Sequence, residues 1–207
     1  MSVRTMIFDF DGTIADTFHS AVAVLNQLAD EFGYRAAGPE EIAELTSLGL
    51  RELIDRVGLS WHRVPALAVR VRQEMSRKMH LIAPCPGVVD ALTALRARGV
   101  RVGILTSNNR DNVDKFLGTQ PELRFDFISA GSGLFSKERR LKRLLATQRL
   151  AREETCYVGD EVRDIEAARA VGMRAVAVTW GFSSAQLLAA SSPDHLIADP
   201  SELFALV

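Results

Sequence analysis

The chain has 207 residues, 47% hydrophobic and 25% charged, a composition able to bury a globular core. Its formal net charge of -1 provides no field favouring nucleic acid or an anionic membrane surface, and no apolar run reaches membrane-spanning length. Asp9 comes too early for a secretory signal, and Cys85 and Cys156 are too few and too far apart to ligate a metal. A reduced, cytoplasmic setting is expected.

The first apolar run, Val3 to Phe10, reads as a strand that ends in Asp9-Phe10-Asp11-Gly12-Thr13. Side chains two apart in an extended segment point the same way, so the carboxylates of Asp9 and Asp11 face one spot. Two like charges so placed repel unless a cation lies between them. Gly12 lets the backbone turn tightly and approach a ligand.

From residue 15 to 82 the pattern is helical. Ala21, Leu25, Leu28 and Phe32 recur at helical spacing, as do Val64, Leu67, Val71, Met75 and Met79. Pro39-Glu40-Glu41 is expected to open a further helix, with proline and acids in its first turn. No strand interrupts this stretch, and Pro84 with Pro86-Gly87 marks a re-entry turn.

Strand-like runs then follow at Val100 to Thr106, Phe125 to Ala130, Thr155 to Val158 and Arg174 to Trp180. Helical stripes at Val88, Val89, Leu92 and Leu95 and at Leu141, Leu144 and Leu145 alternate with them. Such alternation predicts an α/β fold with a doubly wound parallel sheet, whose ligands bind outside the carboxyl ends of the strands. Thr106-Ser107-Asn108 ends one strand with a hydroxyl and free backbone N–H groups suited to phosphate oxygens. Lys137 opens a helix after the Gly131-Ser132-Gly133 loop, and it is one of four lysines among 25 basic residues, so a compact ammonium is favoured there. Gly159-Asp160 ends another strand, and Asp160 and Asp164 are spaced to share one helix face.

Acid pair, hydroxyl, lysine and acid thus follow one another on four strand ends. In this the chain resembles the haloacid dehalogenase superfamily, and in its general look the phosphoglycolate phosphatase-like branch with a helical cap. The resemblance rests on Asp9-Phe10-Asp11-Gly12-Thr13, Thr106, Lys137 and Gly159-Asp160 with Asp164, and extends to Asp16-Thr17 and Pro86-Gly87. It implies a Rossmann-like core of residues 1–14 and 83–207 with a cap of residues 15–82. It further implies a magnesium-dependent phosphatase acting on a small phosphorylated metabolite, with Asp9 as nucleophile and Asp11 as acid and base. Thr106 and Lys137 would hold the phosphoryl oxygens, with Gly12 and Ser107 in support. Mg²⁺ would be held by the Asp9 carboxylate, the Asp11 backbone carbonyl and Asp160, while Asp164 orients Lys137 or a metal-bound water. Branches that cleave carbon–halogen or carbon–phosphorus bonds lack an acid at the place of Asp11. A sugar-phosphate mutase shares every motif, and a silent binding module would carry a damaged one.

Thr46 to Arg51 joins two helical patterns, and Gly49 would let the chain bend toward the core edge; in capped members of the family a loop in this place contributes to specificity. Arg51 is able to fork onto a carboxylate or second phosphate, and a solvated arginine at a helix start is the other reading.

Overall fold

In the computed structural model, which describes residues 2–131 and 137–207, six parallel strands form one sheet in the order β3-β2-β1-β4-β5-β6. They are β1 (Thr5–Phe8), β2 (Arg101–Thr106), β3 (Phe127–Ala130), β4 (Thr155–Gly159), β5 (Arg174–Val178) and β6 (His195–Ile197). Because side chains alternate along a strand, Met6 and Phe8 face one layer with Val102, Ile104, Cys156 and Val158, while Ile7 faces the other with Leu105 and Tyr157. The first layer is covered by α5 (Val88–Ala97) and α6 (Arg110–Leu117), through Leu92, Leu95, Val113 and Phe116. On the second lie α7 (Lys137–Gln148), α8 (Val162–Ala170) and α9 (Ala185–Ala190), through Leu141, Leu144, Ile165 and Leu188. Strands buried on both faces read as continuous apolar runs, which is why the sequence shows them so clearly.

Between β1 and α5 the chain makes four helices: α1 (Phe18–Phe32), α2 (Ile42–Leu45), α3 (Leu50–Val57) and α4 (Val64–Lys78). They enclose a separate apolar cluster of Val24, Leu28, Phe32, Ile54, Leu67 and Met75. Exit and return are laced together: Asp16 N donates to Ala83 O at 2.9 Å, and Cys85 N to Ile14 O at 2.8 Å. No described helix is long and apolar enough to cross a membrane.

Several boundaries differ from expectation. β1, β3 and β5 are shorter than their apolar runs, although Arg4, Asp9, Asp126 and Thr179 just outside them still hydrogen-bond to the neighbouring strands. The helix expected at Pro39 starts only at Ile42 and has four residues. Its place is taken by a turn in which Glu41 N donates to Gly38 O, and the Glu41 carboxylate accepts from Gly38 N and Arg35. β6 and α9 had no counterpart among the expected elements; β6 is three residues long and has the partly exposed Leu196 at its centre.

Candidate active site

In the order β3-β2-β1-β4-β5-β6 the winding reverses next to β1, opening a crevice at the carboxyl ends of β1 and β4. Asp9 follows β1 and continues its ladder, with its N–H on Val158 O at 2.8 Å. Asp160 follows β4. Both are buried, at 3% and 0% exposure, together with Thr106, Lys137 and Asp164.

The first loop turns at once. Gly12 has φ +75°, in the left-handed region, and a Cβ there would overlap Asp160 Oδ2 and the ring of Phe182. The turn brings Thr13 Oγ1 to Asp160 Oδ1 at 2.6 Å, while Phe182 N donates to Asp160 Oδ2 at 2.8 Å. Gly181 meets the same carboxylate so closely that it too has no room for a side chain. Asp160 is therefore clamped by the loops after β1 and β5. This corrects the reading that puts Asp160 and Asp164 on one helix face. Asp160 lies outside α8, which begins at Val162 after an extended Glu161, and only Asp164 lies in its first turn.

Lys137 Nζ donates to Asp9 Oδ2 at 3.0 Å and to Asp164 Oδ1 at hydrogen-bonding distance. Asp164 Oδ2 accepts from Glu161 N at 3.1 Å, so both of its oxygens are engaged. Asp9 Oδ1 is buried and has no hydrogen-bond partner among the described residues. One ligand oxygen from each of Asp9, Asp160 and Asp164 lies within 4.8 Å of the others, and the three could hold a metal ion.

Acid outnumbers base in this pocket, and the proton affinities reflect it. Burial pushes Asp160 well above the usual carboxylate range, reinforced by the charges of Glu161, Asp164 and Asp9. Burial, then the Asp9 charge, pushes Asp11 up to about 7. Asp164 is likewise pushed up to about 7 by burial, against the pull of Lys137. Burial lowers the Lys137 ammonium, but the Asp164 and Asp9 carboxylates more than offset that and hold it well above its ordinary value. A divalent cation would relieve this excess of negative charge, and the orphaned Asp9 Oδ1 is an oxygen still available to it.

The structure brings Asp9, Gly12, Lys137, Asp160 and Asp164 into direct contact, and Asp11 lies beside them with its carboxylate on Asn108 Nδ2. Thr106 is fully buried at the end of β2, where its Oγ1 accepts from Asn108 N at 3.0 Å; Ser107 follows it, half-buried. Ser132 and Gly133 lie outside the described residues. Arg51 is exposed in the first turn of α3 and forms no ion pair with any described residue.

Sequence reasoning puts Asn108 and the Trp180-Gly181 turn near the ligand edge with only a structural role, and it missed Arg140. Asn108 holds the Asp11 carboxylate, and the Gly181-Phe182 loop grips Asp160. Arg140 forks onto the carbonyls of Thr106 (2.6 Å), Gly131 (2.9 Å) and Ser129 (2.5 Å), tying α7 to the ends of β2 and β3. Position just beyond β2 and β5 was the available signal for Asn108 and Gly181; the contacts of Arg140 join distant segments and leave none.

The fold and this constellation define a hydrolase: residues 6–178 match the family described as haloacid dehalogenase-like hydrolase, and the chain belongs to that family. It is 41% identical over 207 residues to the phosphoglycolate phosphatase of Synechococcus elongatus, covering 99% of this chain and 97% of that one. Against the phosphoglycolate phosphatase of Aquifex aeolicus the identity is 25% over 210 residues, with 99% and 97% covered. A haloacid dehalogenase-like family hydrolase from Streptococcus pneumoniae shares the fold, with a TM-score of 0.78 at 23% identity over 98% of this chain and 97% of that one.

Proposed function

We propose that this chain is a Mg²⁺-dependent phosphoric monoester hydrolase that acts on a small phosphorylated metabolite through a phospho-aspartate formed on Asp9. One observation carries the reading. Asp9 has one oxygen fixed by Lys137 and the other buried with no partner among the described residues, at the switch point of the sheet and among further acids. The kinship with phosphoglycolate phosphatases supports phosphoglycolate, or a metabolite like it, as the substrate.

Residues 15–82 act in this reading as a cap over a core of residues 1–14 and 83–207. An Asp9 oxygen attacks phosphorus and forms the new P–O bond as the bond to the leaving alkoxide breaks. Asp11, whose proton is retained up to about pH 7, gives it to that alkoxide. It then takes a proton from the water that attacks the phospho-aspartate, so that inorganic phosphate leaves and Asp9 is restored. Thr106, supported by Ser107, and Lys137 position the equatorial oxygens, since phosphoryl transfer is mainly a matter of positioning and charge. Asp164 orients Lys137. Asp9, the Asp11 carbonyl and Asp160 would hold the metal, and Gly12 leaves the space that Asp160 occupies. When bound, Mg²⁺ supplies positive charge that offsets the phosphoryl oxygens.

The test is a screen of phosphorylated metabolites with Mg²⁺, scoring released phosphate, with a chelator arm. Phosphate release that chelation abolishes and Mg²⁺ restores is the expected result; undiminished release in excess chelator overturns the scheme.

A further inference from the structure

A line of hydrogen bonds leaves Asp11 and runs away from the pocket into the helical insert. Asn108 Nδ2 lies 3.2 Å and 3.0 Å from the two Asp11 carboxylate oxygens. Asn112 Nδ2, on α6, donates to Asn108 Oδ1 at 2.8 Å. Ser76 Oγ, on α4 of the insert, donates to Asn112 Oδ1 at 2.6 Å. Lys115 Nζ donates in turn to Ser76 Oγ at 3.3 Å and Ser76 O at 3.5 Å.

Every donor in this line points toward Asp11, with a cation at the far end and a carboxylate at the near end. Such a chain polarises each of its members in the same sense. The amide orientations are fixed by their neighbours. Asn108 Oδ1 also accepts from Asn109 N at 2.9 Å, so a flipped Asn108 would set its NH₂ against that N–H and its oxygen against Asp11. Asn112 is 1% exposed, between Val113 and the α6 turn that carries Phe116, both fully buried. An apolar side chain would serve packing there at least as well, because a buried amide gains little even when its hydrogen bonds are made. What the amide adds is direction.

We propose that Asn108, Asn112 and Ser76 form a positioning relay that aims the Asp11 carboxyl and couples that aim to the seating of α4 on the core. None of the three touches the reacting atoms; they act through Asp11. The inference rests on the reading of Asp11 as acid and base, and its test keeps the two apart.

A misaimed acid harms substrates with poor leaving groups and spares those with good ones, which a general loss of structure does not do. The measurement is kcat/KM for phosphoglycolate and for p-nitrophenyl phosphate in wild type, Ser76→Ala, Ser76→Thr, Lys115→Met and Asp11→Asn, each with a thermal melt. Ser76→Ala leaves Asn112 Oδ1 without its donor. It is expected to lose about five- to tenfold on phosphoglycolate and less than about twofold on the aryl ester. Ser76→Thr keeps the hydroxyl and restores both values. Lys115→Met, on the surface, follows the same pattern with a smaller loss and stands in if Ser76→Ala does not fold. Equal losses on both substrates, or no loss on either, overturn the relay while Asp11→Asn still discriminates between them. If Asp11→Asn loses equally on both, the role of Asp11 falls, and the relay with it.

Discussion

Lys137 Nζ sits 3.0 Å from Asp9 Oδ2 and also pairs with Asp164, so a single buried ammonium serves two buried carboxylates. Nothing else of positive charge makes a hydrogen bond to Asp9 among the described residues. Removing it strands both acids: Lys137→Met is expected to lower kcat at least 10²-fold, roughly the cost of losing one preorganised charge-stabilising group. It should also destabilise the fold by about 3 kcal/mol or more, as breaking a buried pair from one side does. Steady-state kinetics and denaturant unfolding check the two effects. A variant that keeps wild-type kcat removes Lys137 from the phosphoryl site.

Gly12 carries the turn that puts Asp160 in place. Gly12→Ala adds a Cβ into Asp160 Oδ2 and Phe182 at a φ of +75°. The strained backbone is expected to cost about 1–3 kcal/mol. The displaced carboxylate should raise the Mg²⁺ concentration needed for half-maximal activity. A melt and a Mg²⁺ titration are sufficient; an unchanged Mg²⁺ requirement separates Gly12 from the metal site.

The acid cluster sets a pH dependence. Asp11 is raised from 3.8 to about 7, and Asp160 moves the same way. A native state that holds protons more tightly than the unfolded chain loses stability as pH rises through that window. Metal-free protein should therefore melt lower at about pH 8 than at about pH 5 from this contribution. Mg²⁺, which competes with protons for the Asp160 carboxylate, should raise Tm more at the higher pH. Asp160→Ala should remove most of that difference. An equal Mg²⁺ effect at both pH values contradicts a metal held by Asp160.

The sheet was legible in the sequence because its central strands are buried on both faces, and buried parallel strands leave unbroken apolar runs such as Met6-Ile7-Phe8 and Val102 to Leu105. β6 was not legible, being three residues long and partly exposed at the sheet edge. Asp9, Asp11 and Asp160 could be read because they lie at strand ends beside Gly12 and Gly159, and Lys137 because it is a scarce lysine at a helix start. The bond from Asn108 to Asp11 could not: the two are 97 residues apart in sequence, and only the pairing of β1 with β2 makes them neighbours. Arg140 sits between Arg139 and Lys142 in a run that reads as solvated charge, yet its guanidinium points inward onto three carbonyls.

Arg51 tests the role of the helical insert in substrate choice. It is exposed and forms no ion pair with any described residue. If it binds the carboxylate of a substrate such as phosphoglycolate, Arg51→Ala raises KM for that substrate and barely changes p-nitrophenyl phosphate. The kcat values should stay close to wild type, because uniform binding alone is lost. A matching change on both substrates, or on neither, places the specificity contact elsewhere.

The central claim is covalent chemistry at Asp9, and rapid-quench labelling addresses it most directly. Enzyme mixed with a phosphate-labelled substrate and Mg²⁺, quenched in acid within one turnover and digested, should carry the label on the peptide containing Asp9. The label should be absent in Asp9→Asn, a variant expected to retain the wild-type fold and to have no turnover. Label on another residue, or full turnover in Asp9→Asn, would contradict the account.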